Sequence, residues 1–303
     1  MKKPKVTVLT SLYNCRQYIE GYFQCIASIE YSDELEILLL HNAPTEEELH
    51  IIQSYLPSYP FLRHYIIQER EGLYSTWNRG IKLSQGEYIT IWNVDDIRFP
   101  LSIHQQAETL DQNPQADITY GDFYYMYQYG DISKNFIQNK DFIVSPKKFF
   151  RTHQIGCFPM WRKRIHQKIG YFDEQLKLVA DFDFQIRAAI NNCIFVKNRE
   201  LLGCYLALIP SKLSSNQRLQ KKEQNVLFLR YGIYDYLNWI YWMAALKYEI
   251  TKIFSYQKDQ PLSIYFKHRN IFLIKRMPLF ILSIFKQPRN ILSHLKHFVF
   301  KRK

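Results

Sequence analysis

The sequence predicts an α/β fold: a Rossmann-like, mostly parallel sheet flanked by helices, followed by a helical, basic C-terminal extension. Two observations carry this expectation. Short β-rich runs alternate with helix-like segments over the first 128 residues, a pattern that implies right-handed crossovers and a sheet covered on both faces. The excess of Lys and Arg is confined to the end of the chain, where the pattern turns helical and aromatic.

Taken in order, KVTVLTS (5–11), LEILLLH (35–41), RHYIIQE (63–69), EYITIW (87–92) and ADITYGDFYYMYQ (116–128) read as strands. Thr45-Glu46-Glu47-Glu48 reads as a helix start, with Thr45 as cap and Glu48 at the capping-box position. Pro100 suits a first helical position before LSIHQQAETLDQ. Beyond Asp131 the expected elements are a helix over SPKKFFRT, a strand over GCFPMW, a helix over ADFDFQIRAAINN and a β-rich CIFVKNRELLGCYLAL. These complete one domain, residues 1–215. From Asn216 the chain reads as helix, including FLRYGIYDYLNWIYWMAALKYEI, and forms a second region, 216–303.

Composition narrows the function. With 303 residues, 47% hydrophobic and 16% aromatic, the chain has enough apolar material for a large core. Five cysteines without a C-x-x-C pair argue against a zinc site or disulfide framework and for a reducing compartment. The opening MKKPKVTVLTSLYN has too few apolar positions for a secretory segment, so a cytoplasmic protein is expected. The net charge of +12 is unevenly placed: from Lys247 to Lys303 there are 13 Lys and Arg against two acids, leaving 27 basic and 26 acidic residues elsewhere.

In open α/β sheets ligands bind beyond the carboxyl ends of the strands, where loops and helix amino termini converge. That rule selects Ser11-Leu12-Tyr13-Asn14, His41-Asn42-Ala43-Pro44 and Asn93-Val94-Asp95-Asp96. Two adjacent acids in a loop are commonly a solvated helix start; their place at the same edge as two other polar strand ends favours a ligand. A hard divalent cation, Mg²⁺ or Mn²⁺, takes one or two carboxylates and leaves its other positions to phosphate oxygens and water. No G-x-G-x-x-G or G-x-x-x-x-G-K-[ST] loop competes for the phosphate role.

The opening VTVLTSLYN, the block EGLYSTWNRGIKLSQGEYITIWNVDD, and GYFDE followed by ADFDFQIR resemble the family 2 inverting glycosyltransferases with a GT-A fold. The resemblance runs from about Lys5 to Asp183, and more weakly to Ser215. It implies a nucleotide-sugar donor, a glycan or lipid-linked acceptor, a divalent metal and displacement with inversion, in cell-envelope or polysaccharide biosynthesis. On that resemblance Asp95 is a metal ligand, with Asp96 beside it as a ligand, a supporting group or a cap. Ser11, Tyr13, Asn14, Asn42, Asn78, Asn93, Asp95 and Lys212 are expected at the nucleotide sugar. Asn93 stands where the family often carries an Asp, and His41-Asn42-Ala43-Pro44 replaces its Asp-Asp-Gly-Ser. These departures keep a second reading open, a catalytically inactive nucleotide- or glycan-binding protein.

Displacement at a sugar carbon needs a general base within reach of the acceptor hydroxyl. Of the two acids in Ala180-Asp181-Phe182-Asp183, Asp183 lies four residues before Arg187, where an ion pair along a helix accounts for it. Asp181 has no such partner and matches the family's base position; its structural alternative is a helix cap. Trp161 and Arg162 are candidates for an acceptor channel, and Tyr205, Lys212 and Ser214 for closure over the diphosphate. No Q-x-x-R-W element of processive relatives is present, which favours addition of a single residue.

No uncharged apolar run reaches the roughly 20 residues of a membrane span. The alternation of Ile, Leu and Phe with Lys and Arg in the tail instead suits an interfacial helix on an anionic membrane, with packing on the catalytic domain as the alternative. No nucleic-acid-binding module accompanies the charge.

Overall fold

A computed structural model describes residues 3–30, 34–131, 136–137, 152–207 and 216–231. The chain separates into two compact units, Met1–Ser215 and Asn216–Lys303. Of the second, the structure describes one helix, Gln217–Tyr231.

The first unit is built on a twisted sheet in which the five runs anticipated above all appear. β1 (Val6–Leu12), β2 (Leu35–Asn42), β3 (Leu62–Ile67) and β4 (Tyr88–Ile91) are parallel neighbours in the order β3-β2-β1-β4. Every residue of β2 is buried, as expected for a strand with helices on both faces. β6 (Ile118–Met126) and β9 (Phe195–Leu206) run parallel to each other, and the short β8 (Met160–Arg162) is inserted antiparallel between β4 and β6. β5 (Ile97–Arg98) closes the far side against β9, and β7 (Phe136–Ile137) pairs with β6. At residue 203 a Cβ would lie 2.1 Å from the Ile97 carbonyl oxygen, so a glycine is needed for the β5–β9 approach.

The crossovers are α1 (Arg16–Ala27), α2 (Glu46–Tyr55), α3 (Leu73–Leu83) and α4 (Ser102–Gln112). α2 starts on the expected capping box: Thr45 Oγ1 accepts from the Glu48 amide, and the Glu48 carboxylate accepts from Thr45 N–H. α4 begins two residues later than Pro100, which instead sits in a turn and accepts a hydrogen bond from Glu30 N–H through its carbonyl. The strand expected over GCFPMW shortens to β8, because Phe158 is packed under Arg98 and the Pro159 carbonyl is taken by the Thr90 hydroxyl. α5 (His166–Ile169) and α6 (Ala180–Ile190) follow. α1 and α2 pack on one face of the sheet with Ile19, Phe23, Ile26 and Ile52 in the same core as Val6, Val8, Ile37 and Leu39. The helix expected over SPKKFFRT and the aromatic segment beyond Tyr231 lie outside the described residues, apart from Thr152.

Candidate active site at the carboxyl edge of the sheet

Register brings the polar loops to one edge. Leu12 of β1 pairs with His41 of β2, and Leu9 pairs with Ile91 of β4, so the chain leaves all three strands on the same side.

Past β4, the Asp96 amide donates to the Asn93 carbonyl at 3.0 Å and closes a turn that holds Asp95 at its outer position. Asp96 points inward. It is fully buried, one carboxylate oxygen accepting from Asn93 Nδ2 (3.2 Å) and the other from the Leu206 amide (3.1 Å), while its carbonyl accepts from Trp92 Nε1 (2.9 Å). The two neighbouring acids thus divide: Asp96 fastens the turn to the end of β9, the supporting place among those expected for it, and Asp95 remains partly exposed. Because Asn93 spends its side-chain N–H on Asp96 and its backbone carbonyl on the Asp96 amide, its side-chain Oδ1 is the atom that suits a cation. Beneath the turn, buried Arg98 donates to Thr90 Oγ1, the Ile91 carbonyl and Gln106 Oε1 and stacks on Phe158; burial pushes the guanidinium down to about 10.

Past β1, Tyr13 is 44% exposed and Arg70 lies over its ring, 3.9 Å from the centroid. Asn14 follows with φ 47°, a left-handed conformation that Asn tolerates better than most residues. It makes no side-chain cap for α1, whose N-cap is Cys15. Ser11 is partly buried in the last turn of β1, at the level of Leu40.

Past β2, Asn42 is buried, its Nδ2 donating to Thr76 Oγ1 (2.7 Å) and its Oδ1 accepting from the Glu71 amide (3.1 Å). Asn42 therefore anchors the loop that carries Arg70, and Arg79 grips the Glu71 carboxylate from the other side. Asn78 is likewise occupied: it donates to the Phe172 carbonyl and Glu174 Oε1 and accepts from the Phe172 amide, all within 2.9 Å. Both asparagines are expected at the nucleotide sugar; in the structure their buried amides pin the segments at this edge. Ala43 adopts φ 41°, a conformation that costs an L-residue roughly 1–2 kcal/mol and that glycine would take without strain.

Behind these loops Cys15, His41 and Glu48 bring potential ligand atoms within 4.8 Å of one another. The Glu48 carboxylate already accepts from the Cys15 amide (2.6 Å), the Thr45 amide and the Thr45 hydroxyl, with His41 Nε2 at 3.5 Å. Burial acts to raise the Glu48 pKa, but the hydrogen bonds from Thr45 and Cys15 outweigh it and hold the group below its ordinary range. Burial and the neighbouring Glu48 carboxylate push the Cys15 thiol far up, so it stays protonated. Burial lowers the pKa of both His41 and its neighbour His64, the latter to about 4. The group is a buried polar network that ties α2 to the loop after β1.

Asp181 reaches the same edge through Tyr74, in the first turn of α3, whose hydroxyl donates to Asp181 Oδ1 at 3.4 Å. It is the second residue of α6 rather than its cap, which is Val179, and Oδ1 also accepts from the Phe182 amide (2.8 Å). Its side chain is 38% exposed. Asp183, by contrast, is fully buried against Arg187 at 2.8 Å, as the four-residue spacing predicts. Trp161 and Arg162, candidates for an acceptor channel, are buried: Trp161 Nε1 donates to His166 Nε2, and Arg162 donates to the Ala116 and Leu110 carbonyls and to Glu87. Tyr205 packs edge-on against Phe123 and Tyr125. Lys212 and Ser214 lie outside the described residues. Arg70 and Tyr74 escaped notice in the sequence, where an arginine in Glu69-Arg70-Glu71 reads as one more surface charge; only the fold sets it against Tyr13.

A family model described as glycosyl transferase family 2 matches residues 7–170. An uncharacterized glycosyltransferase of Methanocaldococcus jannaschii is 26% identical over 226 residues, 74% of this chain and 77% of that protein. Among solved structures, Staphylococcus aureus TarS 1–349 in complex with UDP superposes with a TM-score of 0.58 at 18% identity, over 74% of this chain and 64% of that one. The mannosyltransferase PcManGT of Pyrobaculum calidifontis, in complex with GDP-Man and Mn²⁺, gives a TM-score of 0.55 at 14% identity, over 100% of this chain and 89% of that one. The fold these likenesses share is GT-A.

Proposed function

The chain belongs to glycosyl transferase family 2, and on that premise we propose that it moves a sugar from a nucleotide-sugar donor to a hydroxyl of a glycan or lipid-linked acceptor, with inversion at the anomeric carbon, in cell-envelope polysaccharide assembly. The observation that carries this reading is the gathering of Asp95, the Tyr13–Arg70 stack and Asp181 at one sheet edge by the loops after β1, β3 and β4 and the start of α6. Solved relatives of the same fold hold UDP in one case and GDP-Man with Mn²⁺ in another.

The exposed face of Tyr13, stiffened by Arg70, suits a nucleobase. Ser11 and Asn14 offer hydroxyl and amide groups to the nucleoside beside it, and Lys212 is assigned to the diphosphate. Asp95 with the side-chain Oδ1 of Asn93 forms an all-oxygen set that fits Mg²⁺ or Mn²⁺, one carboxylate being enough when phosphate and water fill the remaining positions. When bound, the ion supplies positive charge against the departing diphosphate. Asp96 keeps Asp95 in place. Asp181 takes the proton of the acceptor hydroxyl as its oxygen bonds to the anomeric carbon and the bond to the diphosphate breaks. Inversion follows from a single in-line displacement.

We assign the basic tail, which lies outside the described residues, a reversible attachment to anionic membrane, where a lipid-linked acceptor would be found. Among the described residues no helix is long and apolar enough to cross a membrane.

A panel of nucleotide sugars with Mn²⁺ tests the enzyme reading through release of nucleoside diphosphate. Asp95→Ala is expected to lose most metal-dependent turnover. Asp181→Asn is expected to bind nucleotide normally and to lose at least about 100-fold in turnover, the lower range for removal of a general base. Nucleotide binding without turnover of any donor would establish the binding-protein reading instead.

A further inference from the structure

On the reading of Asp181 as the base, we propose that His153 is its positioning residue, donating Nε2–H to Asp181 Oδ2 when substrate is bound. His153 Nε2 lies 4.0 Å from that oxygen. The imidazole is 27% exposed, yet Nε2 itself is buried and makes no hydrogen bond among the described residues. A buried, unbonded ring nitrogen just beyond bonding distance of a carboxylate fits a catalytic contact that is loose without substrate and tightens in the complex.

The backbone around His153 is fixed to the helix that carries the base. Gln185 is fully buried one turn after Asp181 on α6; its Oε1 accepts from the Gln154 and Ile155 amides at 2.6 and 3.1 Å, and its Nε2 donates to the Thr152 carbonyl at 3.0 Å. The His153 ring meets Phe182, the residue after the base, edge to face at 6.2 Å. One helix therefore sets the positions of both Asp181 and the segment bearing His153, and only a small movement separates them from a hydrogen bond.

The arrangement defines which lone pair of the base is used. A carboxylate offers about four acceptor positions. Oδ1 is occupied by the Phe182 amide and the Tyr74 hydroxyl; with His153 on Oδ2, a single position on Oδ2 remains for the acceptor's proton. His153 neither takes nor gives that proton.

The test uses hydrolysis of a UDP-sugar or GDP-sugar panel with Mn²⁺, in which water replaces the acceptor. His153→Ala is expected to lower kcat about tenfold or more with the donor KM within about twofold, the signature of an interaction made in the transition state. His153→Gln, which can present an amide N–H at the same reach, is expected to recover a large part of the loss. An unchanged kcat in His153→Ala, or a Gln variant no better than Ala, would overturn the proposal. A second measurement needs no turnover: long-range ¹H–¹⁵N correlation on the full-length protein should show His153 as the Nε2–H tautomer, and the Nδ1–H tautomer would overturn it. Turnover retained by Asp181→Asn would overturn the base assignment itself, a failure the tautomer measurement tells apart.

Discussion

At the scale of single residues, a buried histidine ties stability to pH. His166 accepts from Trp161 Nε1 at 2.8 Å through Nε2 and faces the Gly170 carbonyl at 2.9 Å through Nδ1. Both contacts are satisfied only by the neutral Nδ1–H tautomer. Burial pushes its pKa down to about 4, whereas an unfolded chain titrates near 6.5. Between those values the unfolded chain holds more protons, so stability is complete above pH 6.5 and falls as pH drops towards 4. At pH 5 the loss from this one group is about 2 kcal/mol, and His64 shifts in the same direction. Denaturant titrations at pH 7 and 5 should show that loss, reduced in His166→Gln. Residue roles were legible in the sequence where the partner is local, as with Asp183 and Arg187. They were hidden where it is distant: nothing in the sequence near Asn78 points to Phe172, 94 positions away.

At the scale of elements, α3 is held to the segment before α6 by that asparagine. Asn78→Ala would leave the Phe172 amide and carbonyl buried without partners, a cost of roughly 2–6 kcal/mol from about 1–3 per unsatisfied group. The expected result is a lower denaturation midpoint with an unchanged slope against denaturant. Strand positions could be read from the sequence because parallel strands between helices form unbroken apolar runs, and the start of α2 because its capping box is local. Element ends were harder. Pro100 looked like a first helical residue but is drawn into a turn by a contact from Glu30, and GCFPMW looked like a full strand but Phe158 is claimed by Arg98.

At the scale of the whole molecule, charge is segregated: the tail from Lys247 holds nearly all of the net +12. Flotation with vesicles containing anionic lipid should retain the full chain, release it as salt rises, and fail for a chain lacking residues 247–303; equal flotation of both chains would discard membrane attachment through the tail. The bond from the Leu206 amide to the buried Asp96 carboxylate spans 110 positions, and β6 finds β9 only after the intervening β7, β8, α5 and α6. Contacts of such separation form slowly. During synthesis, the turn that presents Asp95 lacks its fastening to β9 until residue 206 has emerged. The chain therefore acquires its catalytic edge late, after most of the first unit has been made.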